Sequence, residues 1–68
     1  MATFGKILKE LRIENQLTQP MLAQIVGVSN GTISFWETGR CEPTACYLIR
    51  LARFFNVTTD YLLGLSET

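Results

Sequence analysis

The sequence predicts an all-α fold of five short helices. Apolar residues recur at intervals of three and four positions along most of the chain, which is the spacing of one helix face. No segment alternates apolar and polar residues as a half-buried strand does. Threonine, serine, asparagine and glycine interrupt the apolar pattern, and these residues favour helix ends. The predicted helices span residues 3–15, 18–26, 29–37, 44–55 and 58–64.

The first predicted helix is amphipathic. Lysine and glutamate side chains point away from its apolar face, which carries Phe4, Ile7, Leu8 and Leu11. Thr3 stands at the start of this pattern and is expected to cap the helix. The pattern breaks at residues 15–16, which separates this helix from the next one.

The second and third helices lie close together, and each has a start and a stop signal. Thr18 is expected to cap the second helix, and Gly27 to end it in a left-handed conformation. Ser29 is expected to cap the third helix, which ends at Gly39. Pro20 falls in the first turn of the second helix, where the amide proton that proline lacks has no intrahelical partner. The buried faces carry Leu22, Ala23, Val26, Ile33 and Trp36.

The fourth and fifth helices follow a polar loop. Thr44 is expected to cap the fourth helix and Asn56 to end it. Thr58 or Thr59 is expected to cap the fifth helix, which ends at Gly64. The apolar residues of these two helices are Leu48, Leu51, Ala52, Phe55, Tyr61, Leu62 and Leu63.

Length and composition indicate one soluble domain over residues 1–68. The chain is 47% hydrophobic, as expected for a compact protein, and lies near the lower size limit for independent folding. No apolar stretch approaches the roughly 20 residues that span a bilayer, and no signal sequence is visible, so a cytoplasmic location is expected. Six basic and six acidic residues balance to zero net charge. Any nucleic-acid binding must therefore use a localised surface.

The residue types argue against an enzyme, a metal site and a cofactor. The chain has no histidine and no nucleophile–base pair. Without histidine, Cys41 and Cys46 cannot complete a zinc site by themselves. We interpret the two cysteines as isolated structural thiols in a reducing compartment, with a disulfide bridge or a redox role as the alternative.

Residues 18–38 carry the strongest functional signal. Two short capped helices are separated here by three or four residues that include a glycine. This arrangement is a helix-turn-helix, in which the second helix enters the major groove of DNA. The predicted recognition helix is therefore the segment 29–37.

The chain resembles the Xre family of lambda-repressor-like and Cro-like regulators of bacteria and phages. The resemblance runs from about Phe4 to Gly64. It rests on Arg12, the pattern LTQ…LA…VGVS…TIS.WE.G, the Glu42-Pro43 loop, the segment LIRLARFFNV and the closing DYLLG. It implies a five-helix DNA-binding domain of a transcriptional regulator, with repression as the expected mode. The implied partners are double-stranded DNA and a second copy of the chain, with no small-molecule cofactor and no membrane.

One side of the recognition helix is expected to face DNA. At about 100° per residue, Ile33 and Trp36 fall on the inner side, and Thr38 falls on the outer side. The candidate base-contacting residues on the outer side are Asn30, Gly31, Ser34 and Phe35.

These four residues offer different contacts. Asn30 can bind adenine through two hydrogen bonds or bind a phosphate, and Ser34 is a donor and acceptor of low selectivity. Phe35 can contact a thymine methyl group, and Gly31 allows close approach of the backbone. The alternatives are a second local cap at Asn30 and a merely tolerated glycine at Gly31. For Phe35 the alternative is a partly buried ring shielded by Arg40, or a contact with protein.

Candidate phosphate contacts surround that face. Gln19 lies in the first turn of the second helix, where free amide protons and the helix dipole favour an anion. The resemblance implies a phosphate-binding glutamine at this position, and a solvated polar residue is the alternative. Pro20 disfavours helical geometry at Gln19. The other candidates are Ser29, Thr32, Thr38 and Arg40, and more weakly Lys6 and Lys9.

The resemblance also implies a structural ion pair. In the family, an arginine of the first helix pairs with the glutamate that closes the recognition helix, and Arg12 and Glu37 occupy these positions. A largely buried pair fixes the orientation of the helix, and loss of one partner costs roughly 3–5 kcal/mol. We therefore assign Arg12 to the fold rather than to phosphate binding.

Several apolar residues fall outside the predicted core. Met21 and Ile25 lie off the core stripe of the second helix, as Tyr47 and Phe54 do on the fourth. Operator-binding proteins commonly act as two-fold dimers. We therefore expect a homodimer through the carboxy-terminal half, using the fifth helix with the loop before it, or Phe54.

A protein-interaction module that kept the fold and lost DNA binding is the main alternative. Zero net charge, Gly31 and Phe35 favour it, because non-specific DNA affinity comes mainly from phosphate neutralisation. An antitoxin-type regulator with the same fold is a third possibility. The polar residues that favour DNA binding instead are Gln19, Asn30, Ser34 and Thr38.

Overall fold

Five helices follow one another along the chain, and the computed structural model describes residues 2–67, without the side chain of Ala2. Within those residues there is no strand, and the all-α prediction is confirmed. The helices are α1 (Ala2–Glu14), α2 (Gln19–Val26), α3 (Asn30–Thr38), α4 (Ala45–Phe55) and α5 (Thr59–Leu62).

The helices are short, and the last one is shorter than predicted. α5 has four residues, and Leu63 already lies outside it as the C-cap. α1 is the longest with 13 residues. No helix formed by residues 2–67 has both the length and the apolar character to cross a membrane.

Hydroxyl side chains cap both helices of the predicted helix-turn-helix. The Met21 amide donates to Oγ1 of Thr18 over 3.2 Å. The Thr32 amide donates to Oγ of Ser29 over 3.1 Å. Each bond satisfies one of the amide groups that the start of a helix leaves without an intrahelical partner. Both predicted caps are confirmed.

The caps of the later helices differ from each other. The Tyr61 amide donates to Oγ1 of Thr58 over 3.0 Å, so Thr58 rather than Thr59 caps α5. Thr44 occupies the N-cap position of α4, but its hydroxyl binds no amide of that helix. α4 therefore starts where predicted without the expected side-chain bond.

The predicted cap at Thr3 is wrong. Ala2 is already helical, so Thr3 lies in the first turn of α1 instead of before it. A side chain at Gly64 would overlap Cγ2 of Thr3. Thr3 thus packs against the backbone that follows α5, a contact between distant parts of the chain that local spacing does not indicate.

The left-handed ends of the helices follow the prediction at Gly27, Gly39 and Asn56, which have φ angles of 87°, 79° and 56°. Gln16 also adopts a positive φ, of 58°, directly after α1. Its neighbour Leu17 donates its amide to the carbonyl of Arg12 over 3.0 Å, which closes the end of that helix. Glutamine is a strained choice for this conformation.

Every helix contributes to one apolar core. The side chains withdrawn completely from solvent are Phe4, Leu8, Leu22, Ile33, Leu51 and Leu62. Trp36 of α3 joins them with 2% of its surface exposed. The buried side chains of α2 and α3 therefore belong to the same apolar cluster as those of α1, α4 and α5.

Gly5 allows α1 to cross closely over the end of α3. A Cβ at Gly5 would lie 2.5 Å from the carbonyl oxygen of Trp36 and 2.6 Å from that of Glu37. Backbone atoms at that distance cannot turn away as a side chain can. The residue that fixes this crossing therefore has to be glycine.

Candidate nucleic-acid interface

A three-residue turn joins α2 to α3. Gly27, Val28 and Ser29 lie between the two helices, and the amides of Gly27 and Val28 both donate to the Ala23 carbonyl, over 2.8 and 3.0 Å. Ser29 then caps α3. The turn is therefore hydrogen-bonded at both ends, which fixes how α3 leaves α2.

A buried carboxylate connects the first three helices. The side chain of Glu37 in α3 is 3% exposed, and Nε of Arg12 donates to its Oε2 over 2.7 Å. Nη2 of Arg12 donates to Oε1 over 3.1 Å, so the contact is bidentate. Nη1 of Arg12 donates to the Leu17 carbonyl over 2.9 Å. The structure thus brings together the two residues assigned to a structural pair.

Gln19 of α2 belongs to the same network. Its Nε2 donates to Oε1 of Glu37 over 3.0 Å, and the side chain is half-buried rather than freely solvated. An amide nitrogen carries two donors, so one N–H is available to a further acceptor. Gln19 is itself the first residue of α2, so Pro20 has not expelled it from the helix.

α3 presents an exposed face opposite a buried one. Ile33 and Trp36 are buried, as the helical wheel predicts. Phe35 leaves 47% of its surface in contact with solvent, so part of the ring is covered and part is open to a partner. The other candidates on the outer side are Asn30, Gly31 and Thr38, which are exposed, and Ser34, which is half-buried.

Gly31 has no neighbour that requires a glycine. Among the described residues, apart from its two chain neighbours and the backbone of its own helix, the nearest atom that a Cβ would meet is Oγ of Ser29, at 3.9 Å. This distance is an ordinary van der Waals contact. Gly31 differs in this respect from Gly5, where the fold leaves no room for a side chain.

Three of the candidate phosphate-binding hydroxyl groups, those of Ser29, Thr32 and Thr38, already have partners within residues 29–38. Oγ of Ser29 and Oγ1 of Thr32 lie 2.8 Å apart. Oγ1 of Thr38 donates to the Ser34 carbonyl over 2.9 Å. A phosphate oxygen accepts hydrogen bonds only, so Thr38 has to exchange this bond before it can donate to DNA. Arg40, two residues after the end of α3, is exposed and carries five N–H donors.

Residues 2–67 form no pocket and no cluster of three or more metal-ligating side chains. Cys41 and Cys46 are free and exposed, on the loop after α3 and in the first turn of α4. The features available for recognition are therefore a helix face and the helix ends beside it.

A family model described as helix-turn-helix (HTH_3) matches residues 8–62, which include α2 and α3. The chain belongs to this helix-turn-helix family. The resemblance to Xre and lambda-repressor-like regulators is thereby confirmed.

Two members of the helix-turn-helix family illustrate the similarity. The HTH-type transcriptional regulator ImmR of Bacillus subtilis is 37% identical over 65 residues, which cover 96% of this chain and 51% of ImmR. Repressor protein C2 of Salmonella phage P22 is 36% identical over 66 residues, which cover 94% of this chain and 31% of the repressor. The chain thus spans about half and about a third of these relatives.

A solved structure matches the whole fold. The P22 c2 repressor, crystallised in complex with synthetic operator 9T, superposes with a TM-score of 0.88 and 32% sequence identity. The match covers 97% of this chain and 100% of that chain. The relatives and the fold are those of DNA-binding transcriptional regulators and not those of enzymes, as the residue types led us to expect.

Sequence reasoning missed two features of this helix-turn-helix domain. It did not join Gln19 to Glu37, because residues 18 positions apart on different helices give no local signal. It also gave no role to Gly5, although a glycine inside an otherwise regular amphipathic helix is itself a signal of close approach.

Proposed function

We propose that this domain binds double-stranded DNA sequence-specifically as part of a transcriptional regulator, with repression as the expected mode. α3 enters the major groove, and α2 lies across the backbone with its amino end at a phosphate. The observation that carries the proposal is the exposed face of α3 held by the buried contacts of Trp36 and Glu37 on its other side. The cytoplasm is the compartment that this function requires.

The proposed base contacts combine two polar side chains with an apolar one. Asn30 binds an adenine through its amide, and Ser34 adds a donor and an acceptor of low selectivity. Phe35 contacts the methyl group of a thymine. Gly31 lets the helix backbone approach the base edges closely, because no side chain stands between them.

The proposed phosphate contacts lie at helix ends. Gln19 uses the N–H that Glu37 leaves free, in the first turn of α2 where the helix dipole favours an anion. Arg40 adds a charge beside the end of α3, and the remaining contacts come from Ser29, Thr32 and Thr38. Arg40 is the one cation among these five proposed contacts, so few phosphates are neutralised by charge. We therefore expect a shallow dependence of affinity on salt.

Tight binding through so small a charged surface requires two copies of the domain. A homodimer places two copies of α3 in successive major grooves about one helical turn apart, which calls for an inverted-repeat operator. Large apolar side chains support an interface in the carboxy-terminal half, where Phe54 is 43% and Leu65 is 72% exposed. Sedimentation equilibrium with and without operator DNA tests this part; monomer alone under both conditions contradicts it.

A protein-interaction module is the second candidate function. The exposed ring of Phe35 and the absence of net charge favour it. In that case Phe35 is the centre of an apolar contact with another protein. DNA selection separates the two candidates, since an interaction module enriches no duplex.

Selection of bound duplexes from a random pool, at two salt concentrations, tests DNA binding. We expect enrichment of an inverted repeat. Asn30→Ala relaxes the preference at one base pair of each half-site, whereas Gln19→Ala weakens all duplexes to a similar degree. Because Gln19 also binds Glu37, thermal unfolding of that variant is measured in parallel. No enrichment at low salt refutes DNA binding.

A further inference from the structure

Arg50 of α4 contacts the end of α2. Its Nη1 donates to the carbonyl oxygen of Val26 over 3.1 Å, and Val26 is the last residue of α2. The last carbonyl groups of a helix have no intrahelical partner and carry the negative end of the helix dipole. A guanidinium group is therefore both a hydrogen-bond donor and a favourable charge at this point.

The same arginine lies against an aromatic ring that contacts α3. The guanidinium carbon of Arg50 is 5.5 Å from the centroid of the Tyr47 ring, within the range of a cation–π contact. The Tyr47 ring in turn lies 5.7 Å from the Trp36 ring, centroid to centroid. Trp36 is buried and directly follows the exposed Phe35 in the sequence of α3.

Arg50 and Tyr47 together form a bracket across the two helices of the helix-turn-helix. One end of this bracket binds the last residue of α2, and the other packs on the inner side of α3. The turn between the helices lies close to the bracket, because a Cβ at Gly27 would be 3.7 Å from Nη1 of Arg50. The bracket therefore supports the turn from outside the helix-turn-helix.

We propose that Arg50 is a positioning residue for DNA recognition, which fixes the angle between α2 and α3 without contacting DNA. This inference rests on the proposed function. Loss of the guanidinium allows α3 to rock relative to α2, so that base contacts suffer more than phosphate contacts do. The operator affinity then falls relative to the affinity for a scrambled duplex.

The test compares Arg50→Met, Arg50→Lys and Arg53→Met. Methionine keeps the apolar stem of Arg50 but removes the hydrogen-bond donor and the charge. Lysine keeps a donor and the charge. Arg53 is a matched control, because it is an exposed arginine of the same helix. Fluorescence anisotropy measures binding of the selected operator and of a scrambled duplex over a series of salt concentrations.

For Arg50→Met we expect operator binding about fivefold weaker, the scale of one exposed charge-assisted hydrogen bond. The operator-to-scrambled ratio falls by a similar factor, and the salt slope stays that of the wild type. Arg50→Lys recovers most of the ratio, and Arg53→Met keeps it. A loss of folded protein alone lowers both affinities equally, so the ratio separates positioning from stability.

Amide hydrogen exchange in the free protein provides a second readout. The amides of Gly27 and Val28 donate to the Ala23 carbonyl. We expect their exchange rates to be higher in Arg50→Met than in the wild type, and to be the same in Arg53→Met as in the wild type. The inference is overturned if the operator-to-scrambled affinity ratio of Arg50→Met equals that of the wild type. It is also overturned if the salt dependence of affinity in Arg50→Met is reduced by about one, because such a change indicates a direct contact of Arg50 with phosphate. If the wild type binds no duplex, the proposed function fails, and the exchange rates alone decide whether Arg50 holds the turn.

Discussion

Gln19 and Glu37 are joined by a hydrogen bond of 3.0 Å between α2 and α3. The carboxylate that accepts this bond also accepts two from Arg12, so it serves α1, α2 and α3 at once. The residue proposed to bind phosphate is therefore oriented by the same group that locks the recognition helix. On the proposed function, the fold and the phosphate contact are therefore coupled through one side chain.

Replacement of that carboxylate tests how much the fold depends on it. In Glu37→Gln the shape is retained and the charge is lost, so the largely buried Arg12 has no compensating anion. We expect a loss of about 3 kcal/mol in the free energy of unfolding. For a domain of this size, this corresponds to a fall of about 12–24 °C in Tm. Circular dichroism during heating and urea titration measures both.

Glu10→Gln is the matched control, because Glu10 is an exposed glutamate of α1. Surface substitutions of this kind change stability by at most about 0.5 kcal/mol. The double replacement Arg12→Met with Glu37→Met recovers most of the stability, since an apolar pair leaves no uncompensated charge. Equal effects of Glu37→Gln and Glu10→Gln contradict a structural role for the pair.

The substitution Gly31→Ala is expected to have opposite effects on the stability of the fold and on operator affinity. Because the surroundings are open, Gly31→Ala improves helix propensity and raises the free energy of unfolding by up to about 1 kcal/mol. We expect the same variant to bind the operator more weakly, as its methyl group occupies the gap proposed for DNA. Gly5→Ala, in contrast, is strongly destabilised by the overlap with backbone oxygens. A stabilised Gly31→Ala with unchanged affinity removes Gly31 from the interface.

The positive φ of Gln16 predicts a stabilising substitution. Glycine adopts the left-handed conformation of residue 16, at a φ of 58°, without the steric strain that a Cβ causes. We therefore expect Gln16→Gly to raise the free energy of unfolding by about 0.5–1 kcal/mol. Asn56, at 56°, is the control, because asparagine tolerates this region better than glutamine. Asn56→Gly should therefore gain less in urea denaturation. A destabilised Gln16→Gly shows that the Gln16 side chain contributes more than the strain costs.

Uracil in place of thymine tests the proposed contact of Phe35. The change removes only the methyl group, whose burial is worth about 0.8 kcal/mol, or about fourfold in affinity. Operators with one thymine replaced at a time are titrated by anisotropy against wild type and Phe35→Ala. The sensitive position should lose its effect in Phe35→Ala. Equal sensitivity in both proteins assigns the methyl contact to another residue.

The helix boundaries were predictable where the signal is local. Thr18 and Ser29 cap through bonds to amides three residues ahead, and Asn56 ends α4 by its own backbone preference. Thr3 was assigned wrongly because α1 already begins at Ala2, and Thr3 instead lies against Gly64, a contact that local spacing does not indicate. The length of α5 was overestimated, since apolar residues continue beyond its four helical positions.

The candidate site was predictable as a helix face but not as a set of contacts. The periodicity of α3 separates Phe35 from Ile33 and Trp36 without any tertiary information. Family resemblance paired Arg12 with Glu37, which no spacing rule connects. The bond from Arg50 to Val26 joins residues 24 positions apart and depends on how α4 lies against α2. Such contacts follow from the packed fold and have no counterpart in a local pattern.

The open surroundings of Gly31 have a consequence for how such a domain diversifies. Since no neighbour restrains that position, side chains of many sizes can be placed there without repacking the core. On the proposed function, the operator preference can then drift while the scaffold stays the same. A library randomised at this single codon should yield folded proteins throughout, so that any change in DNA affinity or preference among its members arises at the interface and not in the scaffold.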